Sequence, residues 1–529
     1  MAVLAILFLV FLLWLPQAIH QVFVWTYWWQ VKEYRFDRFW AFLKSSDGRE
    51  KLGIFGILIK FLGLILGSLY IPIPLIIFLF LDVIFLNNLL RKRVRKPAIT
   101  ERIEKIWLTC FLGIVVTFIA FYFFFSNALI LGEVLLIITP YVGIIWTIPI
   151  VSKIKQQEIK KAEEVLAQVK PTVIGITGSY GKTTTKEFVA HLLSQKYKIA
   201  KTEGSENTEF GIARKTYKNV KKGTQYFVVE MGAYKMGEIN KLASIVSPSV
   251  GIITGLEPQH LSLFGTFENI KKAKFELIDA LPESGLAFFN VSNLHVRKLL
   301  EKAKKLDKNL RIFSYVLSSA GTKGINADMM SKVVGVNENG IMFEVLDGRE
   351  RRKFVTPLHG VHFIENLTGA ILVARIFGVT WREIEKGVST LDSPDHVMQV
   401  YKLKNNKIII DDSYNSTPTG FKSALKYLFL FKGKKKIVIT PGIIELGEIY
   451  QEVHTNLGKL MSGIVDQTIL LNEDPLKSIK KGNKITSLSV IKNSRKVVEL
   501  LRNVKDAAIL LEGRQPVSVM KYLDKEKNV

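Results

Sequence analysis

The residues best suited to chemistry lie in a glycine-rich turn near position 180. The turn holds Gly178 and Gly181, and Lys182 and Thr183 follow it directly. Free backbone N–H groups at a helix start and the positive end of the helix dipole attract phosphate, and glycine lets the backbone approach it closely. A lysine at this place can reach the β- and γ-phosphates, and a threonine hydroxyl can bind Mg2+. The turn therefore predicts a site for ATP.

The segments around this turn are those that a phosphate-binding loop needs. An apolar strand is predicted at 172–174 before it, and residues 186–193 after it have helical periodicity. The spacing is a variant of the usual G-x-x-x-x-G-K-[ST] pattern, because Ile176 stands where the first glycine is expected. The residues predicted to contact the nucleotide here are Thr177, Gly178, Ser179, Tyr180, Gly181, Lys182, Thr183 and Thr184.

The first third of the chain has the composition of a membrane protein. Five apolar runs there approach or reach the ~20 residues that a spanning helix needs. The runs are residues 1–15, 53–70, 71–90, 106–126 and 128–150. A cleaved signal peptide is not expected, because no basic segment precedes the first run and further runs follow it. We predict a transmembrane domain of about five spans.

Basic residues give these spans a direction. Lysines and arginines cluster at 31–51, at 91–96 and after residue 150, whereas the connections near residues 70 and 127 carry none. The positive-inside rule then places the N-terminus outside and everything after residue 151 in the cytosol. The number of spans is open at the segment 22–42. This segment could instead be an aromatic helix that lies at the membrane interface.

The charged residues and the cysteine content lead to further expectations. The net charge of +26 indicates a face held against anionic membrane lipid, and no nucleic-acid partner is expected because no aromatic and basic module is present. Lys60 and Asp82 lie deepest in the runs, and we predict that they pair. The single cysteine, Cys110, excludes an intramolecular disulfide and a cysteine-rich metal site.

Strands and helices alternate beyond residue 169, which predicts parallel sheets covered by helices. Alternating segments at 311–358 interrupt this rhythm, with a hairpin turn at Asp347-Gly348. A second alternation begins after residue 391. The predicted fold is therefore multidomain, with a helical transmembrane domain at 1–151, a linker helix at 152–169, an α/β phosphate-loop domain at 170–391 and a smaller Rossmann-like α/β domain at 392–529.

Polar residues at the ends of predicted strands add to the phosphate loop. Glu230 closes the strand at 226–229, and His260 lies in the loop after the strand at 250–254. The carboxyl ends of parallel strands are where such sheets bind ligands, so with Thr183 these residues can complete a magnesium site. Taken alone, Glu230 is as easily explained as a helix-start carboxylate and His260 as a loop histidine. By pattern, Lys274 is a solvated lysine of a helix.

From about residue 170 to residue 520 the chain resembles the Mur ligases of peptidoglycan synthesis, most closely the branch that adds D-alanyl-D-alanine. The matching segments occur in the order of the family. They are Thr177 to Thr184, Asn207-Thr208-x-x-Gly211-Ile212, Glu230-Met231-Gly232-Ala233, His260-Leu261, Ala273-Lys274-Phe275-Glu276, Gly360-x-His362 with Asn366, Asp411-Asp412-Ser413-Tyr414-Asn415-Ser416-x-Pro418, and Pro441 to Gly447.

The resemblance implies roles for individual residues. Lys182 and Thr183 correspond to the phosphate and metal contacts, and Glu230 and His260 to magnesium ligands. Lys274 resembles the lysine that the family carbamoylates to make a further metal ligand. The resemblance thus implies catalytic roles for Lys182, His260 and Lys274, and nucleotide contacts for Asn366, Asp412, Tyr414 and Asn415.

The chain departs from the family pattern at several positions. Phe363 stands where an asparagine usually follows the histidine of Gly-x-His, and an arginine expected near Pro394 is replaced around His396. The family's late Lys-Gly-Ser-Arg becomes Glu512-Gly513-Arg514. The soluble N-terminal domain that binds the UDP part of the substrate in the family is replaced by the predicted spans. These differences leave the acceptor open.

The activity implied is that of an ATP-dependent, magnesium-dependent peptide ligase in the cell membrane of a bacterium, with its ligase domains in the cytoplasm. It would add D-alanyl-D-alanine or a similar amine to a UDP-linked or lipid-linked muropeptide through an acyl phosphate. Two alternatives stay open. One is a related synthetase of another polymer such as poly-γ-glutamate, and the other is a membrane scaffold that binds ATP without catalysis.

Overall fold

The computed structural model describes residues 2–527 except 68–69, 71, 91–95, 125, 205–206, 259–260, 415, 444–445, 447–448 and 483–486. The chain divides into two compact units, Met1–Gln157 and Glu158–Val529.

The first unit is built from helices. They are α1 Ala2–Val31, α2 Phe36–Lys44, α3 Ser46–Lys51, α4 Ile54–Gly67, α5 Pro72–Leu90, α6 Glu101–Phe124 and α7 Ser126–Val169, of which residues 158–169 belong to the second unit. Among the residues that the structure describes, four segments are long and apolar enough to cross a membrane, namely Phe8–Val31, Pro72–Leu90, Glu101–Phe124 and Asn127–Val169. The apolar helix α4 has 14 residues and is shorter than these. Five spans therefore stay a prediction.

The structure corrects one expectation for this unit. Helix α1 runs through Pro16 to Val31, and most of segment 22–42 is helical as part of α1 or α2, so its placement in or on a membrane stays a prediction. The predicted pairing of Lys60 with Asp82 is wrong. The Lys60 ammonium donates to the carboxylate of Glu133 at 2.8 Å and to Gln21 Oε1 at 2.6 Å.

Several buried polar groups form hydrogen bonds with one another inside this unit. Glu133 is fully buried and also accepts a hydrogen bond from the indole of Trp14 at 2.9 Å. Asp82 instead accepts from the Gln17 amide at 2.6 Å. A buried charge is tolerated only when it is paired and hydrogen-bonded, which explains why Lys60 takes the most deeply buried carboxylate as its partner.

A nine-stranded sheet forms the first part of the second unit. Its strands are β1 Thr172–Thr177, β2 Ile199–Lys201, β3 Tyr226–Glu230, β4 Val250–Ile253, β5 Leu286–Asn290, β6 Arg311–Leu317, β7 Met329–Asn337, β8 Gly340–Asp347 and β9 Glu350–Thr356. Their order is β2-β3-β1-β4-β5-β6-β7-β8-β9. Pairing is parallel up to β7 and antiparallel from β7 to β9, which confirms the predicted parallel sheet and the hairpin at Asp347-Gly348.

Helices cover this sheet on the faces that its apolar strands bury. They are α8 Lys182–Ser194, α9 Glu209–Asn219, α10 Glu238–Val246, α11 Leu261–Phe264, α12 Phe267–Asp279, α13 Leu294–Ala303, α14 His362–Ile376 and α15 Trp381–Ser389. Helix α14 is buried along almost its whole length, with Phe363, Leu367 and Ile371 in the same core as Phe188 of α8. This packing fixes α8, and with it the loop that begins α8.

A second, six-stranded sheet follows. Its strands are β10 Gln399–Leu403, β11 Lys407–Asp412, β12 Lys435–Thr440, β13 Gln467–Leu470, β14 Ser487–Val490 and β15 Ala507–Glu512, in the order β10-β11-β15-β12-β13-β14. Only the β10–β11 pair of this sheet is antiparallel. Its helices are α16 Pro418–Leu428, α17 Tyr450–Ser462, α18 Leu476–Gly482, α19 Ser494–Asn503 and α20 Val517–Lys527. The predicted second α/β sheet is confirmed.

For the Lys60–Glu133 pair, removing one charge should destabilise the protein more than removing both charges. In Glu133→Gln, Lys60 stays buried without its counter-charge, which costs about 3–5 kcal/mol of unfolding free energy. We expect a lower Tm for the detergent-purified protein, and the double variant Lys60→Met/Glu133→Gln should recover most of the loss. Asp82→Asn is the control, because Asp82 bonds Gln17. An equal loss from Asp82→Asn, or no recovery in the double variant, would contradict the pairing.

Candidate functional site

The glycine-rich turn forms a loop between the end of β1 and the start of α8. The Ser179 N–H donates to the carbonyl of Gly255 at 2.7 Å, which holds the loop against the segment after β4. The Lys182 ammonium folds back over the loop and donates to the carbonyl of Gly178 at 3.0 Å. Thr177, the last residue of β1, is fully buried and its hydroxyl donates to the carbonyl of Met231. The loop is thus tied to two neighbouring strand ends.

Two glycines of the loop are required by close contacts. A Cβ at Gly178 would lie 2.2 Å from Thr254 Oγ1, and a Cβ at Gly181 would lie 2.6 Å from Asn366 Oδ1. Gly181 also has a φ of +76° and caps α8 at its N-terminus. Ile176, the residue at the place of the usual first glycine, is fully buried within β1. The glycines therefore stand where this loop approaches its neighbours, which accounts for the variant spacing.

The predicted metal ligands Thr183 and Glu230 are in direct contact. The Thr183 hydroxyl donates to Glu230 Oε2 at 2.8 Å, and Glu230 is the last residue of β3. Lys186 lies one turn further along α8, is fully buried, and places its ammonium 3.7 Å from the same oxygen. Lys186 also donates to the carbonyl of Gly204 at 2.9 Å. The Glu230 carboxylate is therefore oriented by a hydroxyl and balanced by a buried cation.

Lys274 is buried, contrary to the solvated position that its pattern suggests. It lies on α12 with 3% of its surface exposed, and its ammonium is 3.5 Å from the carbonyl of Ala233. Burial, and then the positive charge of Lys182, lower the pKa of Lys274 to about 7. Burial likewise lowers the pKa of Lys182, and the carboxylate of Glu230 acts against that shift. A large fraction of Lys274 is therefore a neutral, nucleophilic amine near neutral pH.

The structure places some of the other residues predicted for the nucleotide and metal site, but not all of them. Asn366, on α14, is 5% exposed and lies beneath the loop, where its Oδ1 accepts from the Thr185 hydroxyl at 3.3 Å. The Tyr180 hydroxyl accepts from the Asn293 amide at 3.2 Å, and burial raises its pKa well above the usual range. Thr184 and Ser179 are largely buried. His260 lies outside the described residues, so its predicted role as a metal ligand stays a prediction.

A cleft of about 760 Å3 lies beside the loop, within the second unit. Thr183 of α8 lines the cleft on the side of the first sheet. Tyr414, after β11, and His396, before β10, line it on the side of the second sheet. Tyr414, a predicted nucleotide contact, is 40% exposed there. Elsewhere the Thr419 hydroxyl of α16 donates to Glu257 Oε1 at 2.5 Å. Residues of both sheets therefore meet around one cleft, while Asn415 lies outside the described residues.

Two buried carboxylates lie side by side at the last residues of two adjacent strands of the second sheet. Asp412 of β11 lies in register with Glu512 of β15, and Glu512 accepts from the Ser416 hydroxyl at 2.5 Å. Burial raises the pKa of Asp412 to about 7. Burial and the neighbouring charge of Asp412 raise the pKa of Glu512 well above its usual range. Next to them, Asp411 Oδ2 lies 2.9 Å from His396 Nδ1.

Sequence reasoning missed two of these features. Lys186 was not singled out, although a charged residue one turn after Lys182 lies on the same helix face and could have signalled a second cation. The pairing of Asp412 with Glu512 was also missed, because it requires the order of the strands in the sheet, which a single sequence does not state.

The lowered pKa of Lys274 predicts how stability depends on pH. Above pH 7 the folded protein loses the Lys274 proton while the unfolded chain keeps it up to about pH 10. Stability should therefore rise with pH by about 1.4 kcal/mol per unit relative to Lys274→Met, measured by denaturant unfolding without metal, nucleotide or bicarbonate. Lys272→Met, an exposed position on the same helix, is the control. Parallel pH profiles for wild type and Lys274→Met would refute the shift.

The Asp412–Glu512 pair predicts the opposite slope. Its folded pKa values are raised, so between about pH 4.5 and pH 7 the folded protein holds protons that the unfolded chain releases. Stability should fall as pH rises through this window, and Glu512→Gln should reduce the fall by up to about 1.4 kcal/mol per unit. Urea unfolding at pH 5 and pH 8 measures it, with Glu499→Gln on the surface as control. A greater fall in Glu512→Gln would contradict the assignment.

Comparison with known families agrees with this geometry. The Mur ligase middle domain matches residues 176–374, which contain the loop, Glu230 and Lys274. A UDP-N-acetylmuramoyl-tripeptide--D-alanyl-D-alanine ligase of Bacillus subtilis is 30% identical over 307 residues, covering 58% of this chain. The chain spans 63% of the length of that relative.

Solved structures share the same fold. MurF from Thermotoga maritima, determined in complex with ADP, superposes with a TM-score of 0.59 at 26% identity and covers 71% of this chain and 84% of its own. MurF from Acinetobacter baumannii gives a TM-score of 0.61 at 23% identity, covering 71% and 81% of the two chains. Residues 176–374 thus match the Mur ligase middle domain, and over the region that these comparisons cover the chain is similar to MurF ligases.

Proposed function

We propose that this protein is an ATP-dependent amide ligase that adds D-alanyl-D-alanine, or a closely similar amine, to a muropeptide. The observation that carries the proposal is the group of side chains at the phosphate loop. There the Thr183 hydroxyl meets the Glu230 carboxylate at 2.8 Å, and Lys182 lies close enough to Lys274 to influence its pKa. The relatives named as D-alanyl-D-alanine ligases support the substrate class.

The residues present fit a magnesium ion. Mg2+ is usually held by one or two carboxylates together with hydroxyl groups, water and substrate phosphates, and Thr183 and Glu230 supply such oxygens side by side. Among the described residues no three His, Cys, Asp or Glu side chains gather into a metal site, so further ligands have to come from the nucleotide, from His260 or from a modified Lys274. When bound, the ion would offset charge on the phosphates.

The Lys274 amine can be converted into a negatively charged group that is able to bind a metal ion. A neutral amine attacks the carbon of carbon dioxide, an N–C bond forms as one C=O π bond opens, and the nitrogen releases a proton to solvent. The resulting carbamate carries a negative charge, whereas a protonated amine does not react. With a pKa of about 7 and a buried position, Lys274 is available in the reactive form near neutral pH. The carbamate would also offset the positive charge of Lys182, which otherwise disfavours a second cation nearby.

The reaction follows from these groups. The acceptor carboxylate attacks the γ-phosphorus of ATP and ADP leaves, with Lys182 stabilising the charge on the transferred phosphoryl group. The amine then attacks the carbonyl carbon of the acyl phosphate, forming the amide and releasing phosphate and a proton. An acyl phosphate hydrolyses in water, so the cleft between Thr183 and Tyr414 has to exclude water while the amine binds.

The apolar helices of the first unit support a location in the cell membrane, with the ligase domains in the cytoplasm. Four segments meet the length and composition of a span, and basic residues lie at 91–96 and just after residue 150. A substrate that meets the ligase domains at a membrane can itself be anchored in the lipid. We therefore propose that the acceptor is a lipid-linked muropeptide.

The activity is tested by measuring ADP release and product mass in membranes that contain the protein. With D-alanyl-D-alanine and a lipid-linked tripeptide acceptor we expect ATP turnover and a product heavier by the dipeptide. Turnover with a UDP-linked tripeptide but not with the lipid-linked one would refute the lipid part alone. No amide product with either acceptor would contradict the ligase assignment, and turnover with glutamate would favour a polymer synthetase.

Two substitutions separate catalysis from nucleotide binding. Lys182→Ala should lower ligation by about 100-fold or more, because it removes the charge that stabilises the transferred phosphoryl group. Lys274→Ala should abolish ligation but leave ATP binding within a few-fold of wild type, since Lys274 does not belong to the phosphate loop. Lys272→Ala is the matched control. Full ligation in Lys274→Ala would contradict its role, and ATP binding without ligation in wild type would favour a scaffold.

A further inference from the structure

The first unit contains a cavity that the ligase chemistry does not use. It has a volume of about 360 Å3 and is lined by α1, α4 and α5 and by the turn between α3 and α4. Its polar side chains include Gln17, His20 and Gln21 from α1, Lys60 from α4 and Asn88 from α5. The volume lies in the range of ~300–1,000 Å3 that is typical of small-molecule sites.

The cavity reaches deep among apolar helices. It starts at Glu50 to Gly53, and Lys60 lies seven residues beyond Gly53, or about 10 Å along the axis of α4. Side chains such as Leu58 and Leu62 on the same helix are well exposed and apolar, as expected of a helix that faces lipid. Polar side chains are costly at such a depth and, where they occur, line functional cavities.

The charges that line the cavity balance. Lys60 is paired with Glu133, and the adjacent Glu50 and Lys51 at its rim have opposite signs. What remains are hydrogen-bonding groups without net charge. Gln21 is 6% exposed and uses its Oε1 for Lys60, while its Nε2 has no partner among the described residues. A buried amide donor left unpaired costs free energy, and a ligand oxygen would satisfy it.

An aromatic surface lies beside these amides. The rings of His20 and Phe85 are 4.8 Å apart, and both residues line the cavity. Amide side chains next to a ring face are suited to a ligand that carries hydroxyl and acetamido groups on an apolar ring, because the amides bond its oxygens and the aromatic face covers its C–H groups. A strongly anionic group finds no net positive charge here, so the diphosphate of a lipid carrier would have to lie outside the cavity.

We propose that this cavity binds the sugar head of a membrane glycolipid. The proposal deepens the proposed function, since it rests on the acceptor being lipid-linked, and it assigns recognition of the acceptor's sugar to the helical unit. The deeper Gln21 would donate to an oxygen of the sugar, and Asn88 would contact it nearer the rim. The lipid chain would leave the cavity along the apolar outer surface of α4.

The test uses the full-length protein in lipid nanodiscs and native mass spectrometry of bound lipid. The probes are a short polyprenyl diphosphate that carries an N-acetylmuramoyl-tripeptide and the same polyprenyl diphosphate without sugar. Wild type should bind the glycosylated probe at least about tenfold more tightly than the bare one, the factor of a single well-made contact. Equal binding of the two probes, or no binding of the glycosylated one, would overturn the proposal.

Substitutions locate the binding to this cavity. Gly56 lines it, and an added Cβ there meets no atom within 4 Å, so Gly56→Leu should fill the cavity without disturbing its walls. We expect Gly56→Leu to lose the preference for the glycosylated probe by about tenfold or more and to unfold at the Tm of wild type. Asn88→Leu should weaken the same preference. Leu58→Phe, on the exposed face of α4, is the control and should bind as wild type does.

The outcomes distinguish this proposal from the proposed function. Ligation of a saturating lipid-linked acceptor by wild type tests the ligase activity independently of where the sugar binds. If wild type ligates but Gly56→Leu binds the glycosylated probe normally, the cavity proposal fails and the ligase stands. If wild type binds the probe through the cavity but forms no amide with any acceptor, the ligase fails while the sugar site is supported.

Discussion

The phosphate-loop region depends on three buried lysines gathered around the Glu230 carboxylate. Lys182, Lys186 and Lys274 approach Glu230 from two helices, and Lys186 also lies 3.3 Å from the partly exposed carboxylate of Glu187. Such a group is costly in an empty protein, because each cation disfavours the next. A polyanion relieves this repulsion, so the arrangement is prepared for phosphate before any ligand arrives. The fold provides the rigidity, since α8 is held by the buried helix α14.

Local sequence patterns were sufficient to predict structure where one strand, turn or helix and its direct neighbours determine it. The strand, turn and helix around Gly178 follow from spacing alone, and so do the alternation into parallel sheets and the hairpin at Asp347-Gly348. Facts that depend on packing between elements could not be predicted in this way. Three lysines lie close together on α12, and which of them faces inward depends on the position of β3. The partner of Lys60 depends on which helix packs beside α4, and depth in the sequence indicated Asp82 wrongly.

The second sheet holds an unusual pair of acidic side chains. Asp412 and Glu512 put two carboxylates side by side at the ends of β11 and β15. Burial keeps at least part of this pair protonated at neutral pH, so it acts there as a hydrogen-bond donor and acceptor and less as a charge. A ligand oxygen that a lysine would hold by charge would have to be held here by neutral groups.

The hydrogen bond from Thr419 to Glu257 affects how readily the cleft between the two sheets opens. It joins α16 of the second sheet to the segment after β4 of the first, at the level of the phosphate loop. A single hydrogen bond of this kind contributes about 1 kcal/mol. That is enough to favour several-fold the arrangement in which residues of both sheets meet around the cleft, but too little to make this arrangement permanent. The contact therefore lets the cleft open again at a small cost in free energy.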